Sequence, residues 1–219
     1  YYFDKKAYIG TSYLADPPLG TPRHEFHIYD VSDPVGPAWL GSYNVNHNIN
    51  AIRVRGSYAY LATSDDDGEL LVLDVSDSAN IVQAGIFNAT GNEDGWSIHL
   101  SGNKLYFGRE RVNNAAERDF YILDITNPAA PFEQPGWSKN LSLNPNTEVR
   151  GITVVGNLAF LAVTDPNEGF QVLDITSPGS ITLWGKYNYA QDATGIEFED
   201  DLIYTSNRAN TAFRIIKSN

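Results

Sequence analysis

The chain of 219 residues contains no cysteine and no methionine. The first absence removes disulfides, thiolate nucleophiles and cysteine-based zinc sites together, and says little about compartment. The second leaves Tyr1 at the start, which reads as a processed or excised beginning, with any signal or anchor expected upstream. No uninterrupted apolar run reaches the roughly 18 residues of a helical membrane span. No stretch of useful length repeats its apolar residues at the helical period either. Basic residues are scarce: 15 lysines and arginines against 27 acidic residues leave a formal charge of −12. Such a surface repels a phosphate backbone, so nucleic acid is excluded as the expected partner. Solubility, cation binding or a basic partner fit it equally well.

What is present is a repeat. "FHIYDVSDPVGPAWLGSY", "LLVLDVSDSANIVQAGIF", "FYILDITNPAAPFEQPGW" and "FQVLDITSPGSITLWGKY" align on Asp30, Asp74, Asp124 and Asp174. A second line recurs as "AIRVRGSYAYLATS", "SIHLSGNKLYFGRE", "GITVVGNLAFLAVT" and "GIEFEDDLIYTSN". A decayed copy of the first, "FRIIKSN", ends the chain with Lys217 where the aspartate stood. Each unit reads as four short strands, A to D. In the second unit these fall near 51–55, 58–63, 69–75 and 81–87. Strands A and B alternate apolar and polar residues, and strand C is apolar nearly throughout, as in a strand buried on both faces. Gly, Asn or Asp joins A to B in tight turns that need positive φ. After C, Asp-Val/Ile-Ser/Thr leads into Asp/Asn/Ser-Pro in most units. The polar side chains bond nearby N–H groups there, and proline stops the strand. The third D strand spaces Gly136 and Trp137 differently from its counterparts, which predicts a bulge.

Four-stranded units at this period predict an all-β, five-bladed β-propeller in one domain, residues 1–219. Its blades fall near 1–45, 46–89, 90–143, 144–190 and 191–219, the last lacking its outer strand. The lines "LLVLDVSDSANIVQAG", "FYILDITNPAAP" and "ITVVGNLAFLA" also resemble the LVIVD repeats of bacterial and archaeal cell-surface proteins. The resemblance covers nearly the whole chain and implies a propeller and an extracellular or cell-surface setting. Its signature consists of core and turn residues, so it implies no particular chemistry. The second unit departs from it, with Asp77-Ser78 in place of Asp-Pro.

In such blades the B–C and D–A connections share one face, and here they are the long and varied ones. Variable loops on a rigid frame are where binding resides. The D–A loops gather His47, Asn48, Asn92, Glu93, Asp94, Trp96, Asn144, Asn146, Glu148, Arg150, Gln191 and Asp192. Amides, carboxylates and a tryptophan suit a sugar, a cation or a polar peptide. Asn and Asp also favour turns for their own sake, which explains the same composition without a ligand. Arg53, His99, Thr153 and Glu197 hold one register position on four A strands. They are expected to form a channel layer, in which Arg53 and Glu197 can pair. A structural polar plug accounts for them better than a catalytic group does.

No catalytic residues are assigned. His24 and His27, three apart on an expected strand, point to opposite faces and cannot chelate together. There is no G-x-S-x-G nucleophile elbow. With 27 acidic residues some glycosidase-like carboxylate pair arises by chance. Ser64, Asp66 and Gly68 match part of the Asp box of sialidase-like propellers, but Leu70 and Leu71 break it. For metals, "DDDGE" (65–69) supplies Asp65 and Asp67 as candidate calcium ligands. Counted as an EF-hand from Asp65 it fails, because glycine falls two places early and Ser76 replaces the closing glutamate. No cofactor is therefore expected, and calcium is the one that these aspartates leave open.

The fifth unit ends after its C strand. Its edge is expected to be a template for another chain, a protein partner or a second copy, by strand addition beside 212–217. The expected function is a non-catalytic structural or protein-interaction module. A lectin-like or calcium-binding module that uses the varied face is the alternative.

Overall fold

A computed structural model of the chain describes residues 1–14, 24–111, 117–141, 144, 147–165, 167–188, 192–208 and 213–217. The first blade holds β1 (Tyr2–Phe3), β2 (Lys6–Gly10), β3 (Phe26–Asp30) and β4 (Ala38–Tyr43). The second holds β5 (Ile49–Arg55), β6 (Tyr58–Thr63), β7 (Leu70–Asp74) and β8 (Val82–Phe87). The third holds β9 (Gly95–Ser101), β10 (Lys104–Arg111), β11 (Phe120–Asp124) and β12 (Phe132–Lys139). The fourth holds β13 (Thr147–Val155), β14 (Leu158–Val163), β15 (Phe170–Asp174) and β16 (Thr182–Tyr187). The last has β17 (Ala193–Glu199), β18 (Leu202–Asn207) and β19 (Phe213–Lys217). Within each blade consecutive strands pair antiparallel, and a 3₁₀ turn at Pro178–Ser180 is the sole helical element among the described residues. The repeat thus yields four four-stranded blades and a final three-stranded one. The ends of β10 and β13 also pair, Glu110 with Glu148 and Arg111 with Thr147, so the third and fourth blades share one sheet.

By its contacts the chain forms two compact units. One is Tyr1–Gly95 with Asn127–Pro131; the other is Trp96–Thr126 with Phe132–Asn219. The core of the first gathers Phe26, Ile28, Leu61, Leu73 and Val75, all buried. In the second, Phe120, Ile122, Leu161, Leu173 and Ile181 pack together, and a smaller cluster joins Phe170, Val172 and Ile203. These come from the alternating faces of strands A and B and from strand C. The apolar runs of β7, β11 and β15 are buried on both faces, as expected. β19 departs from that pattern: its residues alternate between exposed and half-buried, and among the described strands only β18 pairs with it.

The turns obey local chemistry. Gly56, Gly102 and Gly156 take positive φ between strands A and B, and Asp200 and Asp201 do so in the last blade. After strand C, the N–H of Ser32, Ser76, Thr126 and Thr176 donates to the Oδ1 of Asp30, Asp74, Asp124 and Asp174 at 2.8–2.9 Å. Each aspartate accordingly sits below the ordinary carboxylate range, held there by the side chain and backbone of the residue two places on. In the third blade the chief cause is the backbone N–H of Thr126. Lys217 cannot accept such a bond. The bulge predicted in the third D strand is present, with Gly136 at φ +82. One-residue bulges also interrupt the other three D strands. A further bulge recurs in strand A, at Asn50, Arg150 and Thr194. It lets one residue leave the ladder.

Candidate functional site

The loops of the first unit spend most of their polar atoms on themselves. His47 Nδ1 lies 3.2 Å from the Ser64 carbonyl oxygen, and Nε2 lies 3.7 Å from Asp65 Oδ1. Asn48 accepts from the Tyr13 N–H at 2.9 Å and donates its own N–H to Ser64 Oγ at 3.0 Å. Asn92 donates to Asp66 Oδ2 at 3.4 Å, and Asp94 is also engaged. Glu93 is buried beside Gly91, whose φ is +99. Asp65 Oδ1 accepts from the Asp67 N–H at 3.0 Å, an Asx turn that accounts for one of the three aspartates. Among the described residues no three His, Asp or Glu side chains gather in a way that could hold a metal ion.

A second carboxylate system escaped the sequence. Glu25, Glu69 and Asp119 each precede a C strand and are almost wholly buried. Each reaches back to the loop after the D strand of its own blade. Glu25 accepts from the Val45 and Asn46 N–H groups at 2.9 and 3.0 Å, Glu69 from Ala89 at 2.9 Å and Asp119 from Leu141 at 2.7 Å. Loop backbone is thereby satisfied without water. Burial pushes the Asp119 carboxyl above the ordinary range, against the pull of the Leu141 N–H and of Arg111, Arg109 and Arg118. The signal was an acid in one column of three repeats. It was hidden in "DDDGE", where Glu69 looks like one more loop charge. In the fourth blade the column holds Gly169. There Asp165, also buried, takes the N–H and Nδ2 of Asn144 at 3.1 and 2.9 Å.

In the second unit the structure brings three expected residues together. The Arg150 guanidinium lies 3.7 Å from the centroid of the Trp96 ring and forks onto Glu148 at 2.6 and 3.0 Å. The Trp96 Nε1 atom is buried and has no hydrogen-bond partner. Trp96 and Arg150 belong to the bulge column of strand A, three residues before His99 and Thr153, which places Asn50 and Thr194 in the same column. Sequence reasoning missed Asn50 and Thr194, although the fixed offset was there to find. Asn50 donates to the Gly95 carbonyl at 2.7 Å, and Thr194 Oγ1 lies 3.0 Å from Ser206 Oγ. Asp192 accepts from Arg208 at 3.3 Å. Asn146 and Gln191 lie outside the described residues.

Three of the four expected channel residues hold equivalent register positions against strand B. Arg53, Thr153 and Glu197 pair with Tyr60, Phe160 and Tyr204 of strand B, and the His99 ring meets Tyr106 edge-on at 6.1 Å. Their surroundings differ. Thr153 is buried, Arg53 stands over the Tyr1 ring at 5.4 Å beside a cleft of about 360 Å³, and Glu197 is exposed and accepts from the Phe198 N–H. His24 is not on a strand, because β3 begins at Phe26; His27 Nε2 lies 2.7 Å from the His24 carbonyl instead.

The fifth blade offers the other site. β19 pairs only with β18 among the described strands. A groove of about 500 Å³ runs along it, lined by Phe170, Tyr187, Arg214, Ile215, Ile216 and Lys217. Tyr187 and Ile215 are 52% and 56% exposed. Residue 212 of the expected edge lies outside the described residues.

The LVIVD repeat profile matches residues 48–89, 94–135 and 147–189, more than half of the chain. No curated protein sequence matches it. Among solved structures, a protein from Lactobacillus plantarum is similar with a TM-score of 0.70 at 9% identity, covering 89% of this chain and 61% of its own. The computationally designed Ika8 protein gives 0.63 at 12%, covering 100% and 57%. The β-propeller domain of Cps50 (Swd1) from Myceliophteria thermophila gives 0.59 at 13%, covering 89% and 64%. The chain therefore spans about three fifths of each of these proteins. At such identities the likeness carries the fold alone, and that fold is an all-β propeller. No helix among the described residues is long and apolar enough to cross a membrane.

Proposed function

The chain belongs to the LVIVD-repeat family, and from that premise we propose a non-catalytic propeller module, exported or displayed at the cell surface, that binds protein within a larger assembly. The observation that carries this reading is the β19 edge. In the other four blades strand C is paired on both sides, whereas among the described strands β19 pairs on one side only and lies beside an apolar groove. Open ladders recruit strands, with main-chain bonds giving affinity and side-chain pockets giving specificity. The dispersal of loop carboxylates into turns and loop clamps also favours a scaffold over a reaction centre. The test is a labelled peptide of residues 181–188, a D strand of the repeat itself, titrated against the 219-residue protein by fluorescence anisotropy. Saturable binding with amide-exchange protection at 213–217 is expected. No protection there at saturating peptide would refute strand addition.

A second reading rests on the Trp96–Arg150–Glu148 stack. A half-buried indole beside a carboxylate and a guanidinium suits a sugar ring. A glycan array with and without calcium, repeated on Trp96→Ala, tests it. Binding that survives the substitution places any lectin activity elsewhere.

A further inference from the structure

Each of the first four D strands is followed at once by an asparagine. Asn44, Asn88, Asn140 and Asn188 hold one column of the repeat, directly after the residues that pair with the start of strand C. In two blades a hydroxyl residue stands two places further on, with no proline between: Asn88-Ala89-Thr90 and Asn140-Leu141-Ser142. That spacing is the acceptor pattern for N-linked glycans. A side-chain amide is a poor nucleophile, because resonance draws its nitrogen lone pair into the carbonyl. The transferase therefore has to grip the whole triplet, hydroxyl included, and the pattern has force only where the asparagine can be reached. Three letters recur by chance, so the surroundings of the two triplets decide between them.

Asn88 is exposed, and its side chain bonds to no other described residue. It leaves the ladder directly after β8. The chain then bends at Thr90, also exposed, and at Gly91, whose φ of +99 only glycine takes readily. Between the two polar residues, Ala89 is tied down by the N–H that Glu69 accepts. That clamp fixes the backbone of the triplet and leaves Asn88 and Thr90 at the surface. Asn140 is placed otherwise. It is half-buried, and its Nδ2, the atom that would carry the sugar, donates to the Glu117 carbonyl at 3.0 Å. Ser142 lies outside the described residues. Asn44 is exposed, but Val45-Asn46 follows it, and its Oδ1 accepts from the Asn46 N–H at 3.2 Å. Asn188 is followed by Tyr189-Ala190. Access and the hydroxyl therefore coincide at Asn88.

We propose that Asn88 is an N-glycosylation site. The donor class is an oligosaccharide joined through C1 of its first sugar to a lipid diphosphate. Asn88 Nδ2 attacks C1, the bond from C1 to the phosphate oxygen breaks, and the lipid diphosphate leaves with that electron pair. Nδ2 gives up one of its two protons to a base of the transferase, and nothing is oxidised or reduced. The proposal rests on the exported setting put forward above, since this modification marks surface loops of secreted proteins. It also gives the position a purpose. The glycan is rooted one residue beyond β8, the edge strand of its blade, whose Val82 and Ile86 are exposed. A bulky polar group there keeps foreign strands off that edge.

The test secretes the 219-residue protein through the endoplasmic reticulum of a eukaryotic host, so that every chain recovered has passed a transferase. N-glycans are then released enzymatically in heavy-oxygen water, and peptide mass spectrometry reads each occupied asparagine as a labelled aspartate. The label separates released sites from spontaneous deamidation. Occupancy at Asn88 is expected to exceed that at Asn140 several-fold. Asn88→Gln and Thr90→Ala should each abolish it, and Thr90→Ser should lower it without abolishing it. Both positions are exposed, and unaltered thermal midpoints of the variants check that the fold is intact. A bare Asn88, equal occupancy at Asn140, or a glycan that survives Thr90→Ala overturns the site. None of these results touches strand addition at β19, which the peptide titration decides by itself, and the export route is imposed by the host.

Discussion

Strands β8 and β16 are built alike: each has six residues, a central glycine, a bulge and an aromatic at its end. Yet Gly85 lies against the Ala129 carbonyl and Gly185 faces open space. Neither takes the positive φ that would make glycine a conformational necessity. The difference shows that the glycine is a contact residue. It is kept small for the next blade, and at the fourth blade no described residue lies against it.

The comparison breaks hardest at Gly85. Gly85→Val drives a side chain into backbone that cannot step aside, and should cost about 3 kcal/mol in urea denaturation. Gly185→Val should stay within about 0.5 kcal/mol. If the two cost the same, the glycines serve the strand and not its neighbour. A smaller effect, about 2 kcal/mol, is expected for Glu69→Ala, which leaves the buried Ala89 N–H without its acceptor. The fourth blade manages with Gly169 in that column, so Gly169→Glu should bring no comparable gain.

Smaller again is the pH dependence of the C–D turns, present at Asp174 and absent at Lys217. The four turn aspartates have folded pKa values below the model-compound 3.8. Their contribution is therefore complete above that value and is lost as pH falls through the folded pKa. Asp119 has the opposite sign: its pKa is raised, so its ionisation lowers stability as pH rises through the folded value. Thermal midpoints between about pH 5 and about pH 3 should fall less for Asp74→Asn, whose amide oxygen still accepts but does not titrate. They should fall more for Asp119→Asn, which removes the opposing trend. Identical slopes for the wild type and both variants would mean that other groups govern acid unfolding.

Most of the fold was legible because its signals are periodic. The aspartates, the A–B turns and the apolar C strands fix the blades to within a residue or two. The site was less legible, for reasons of physics. Glycine is one letter whether it supplies positive φ, as at Gly56, or room, as at Gly85. Glutamate is one letter whether it is wet or enclosed, and Glu69 sits one residue past a run of loop charge. Trp96, Glu148 and Arg150 were named for their loop, but the bulge that makes them meet is a property of pairing, which composition does not reveal. The aspartates at 65–67 invited a cation, and the local bonds of Asp65 answer for part of that charge.

The short pairing between β10 and β13 has a mechanical consequence. Repeat proteins behave as chains of nearest-neighbour couplings, and the weakest junction gives way first. Where Glu110–Arg111 meets Thr147–Glu148, the junction between the third and fourth blades is laced by main-chain bonds as well as by side-chain packing. Under tension these two blades should yield as a single block, in one large rupture, with the blades outside it peeling away earlier and at lower force.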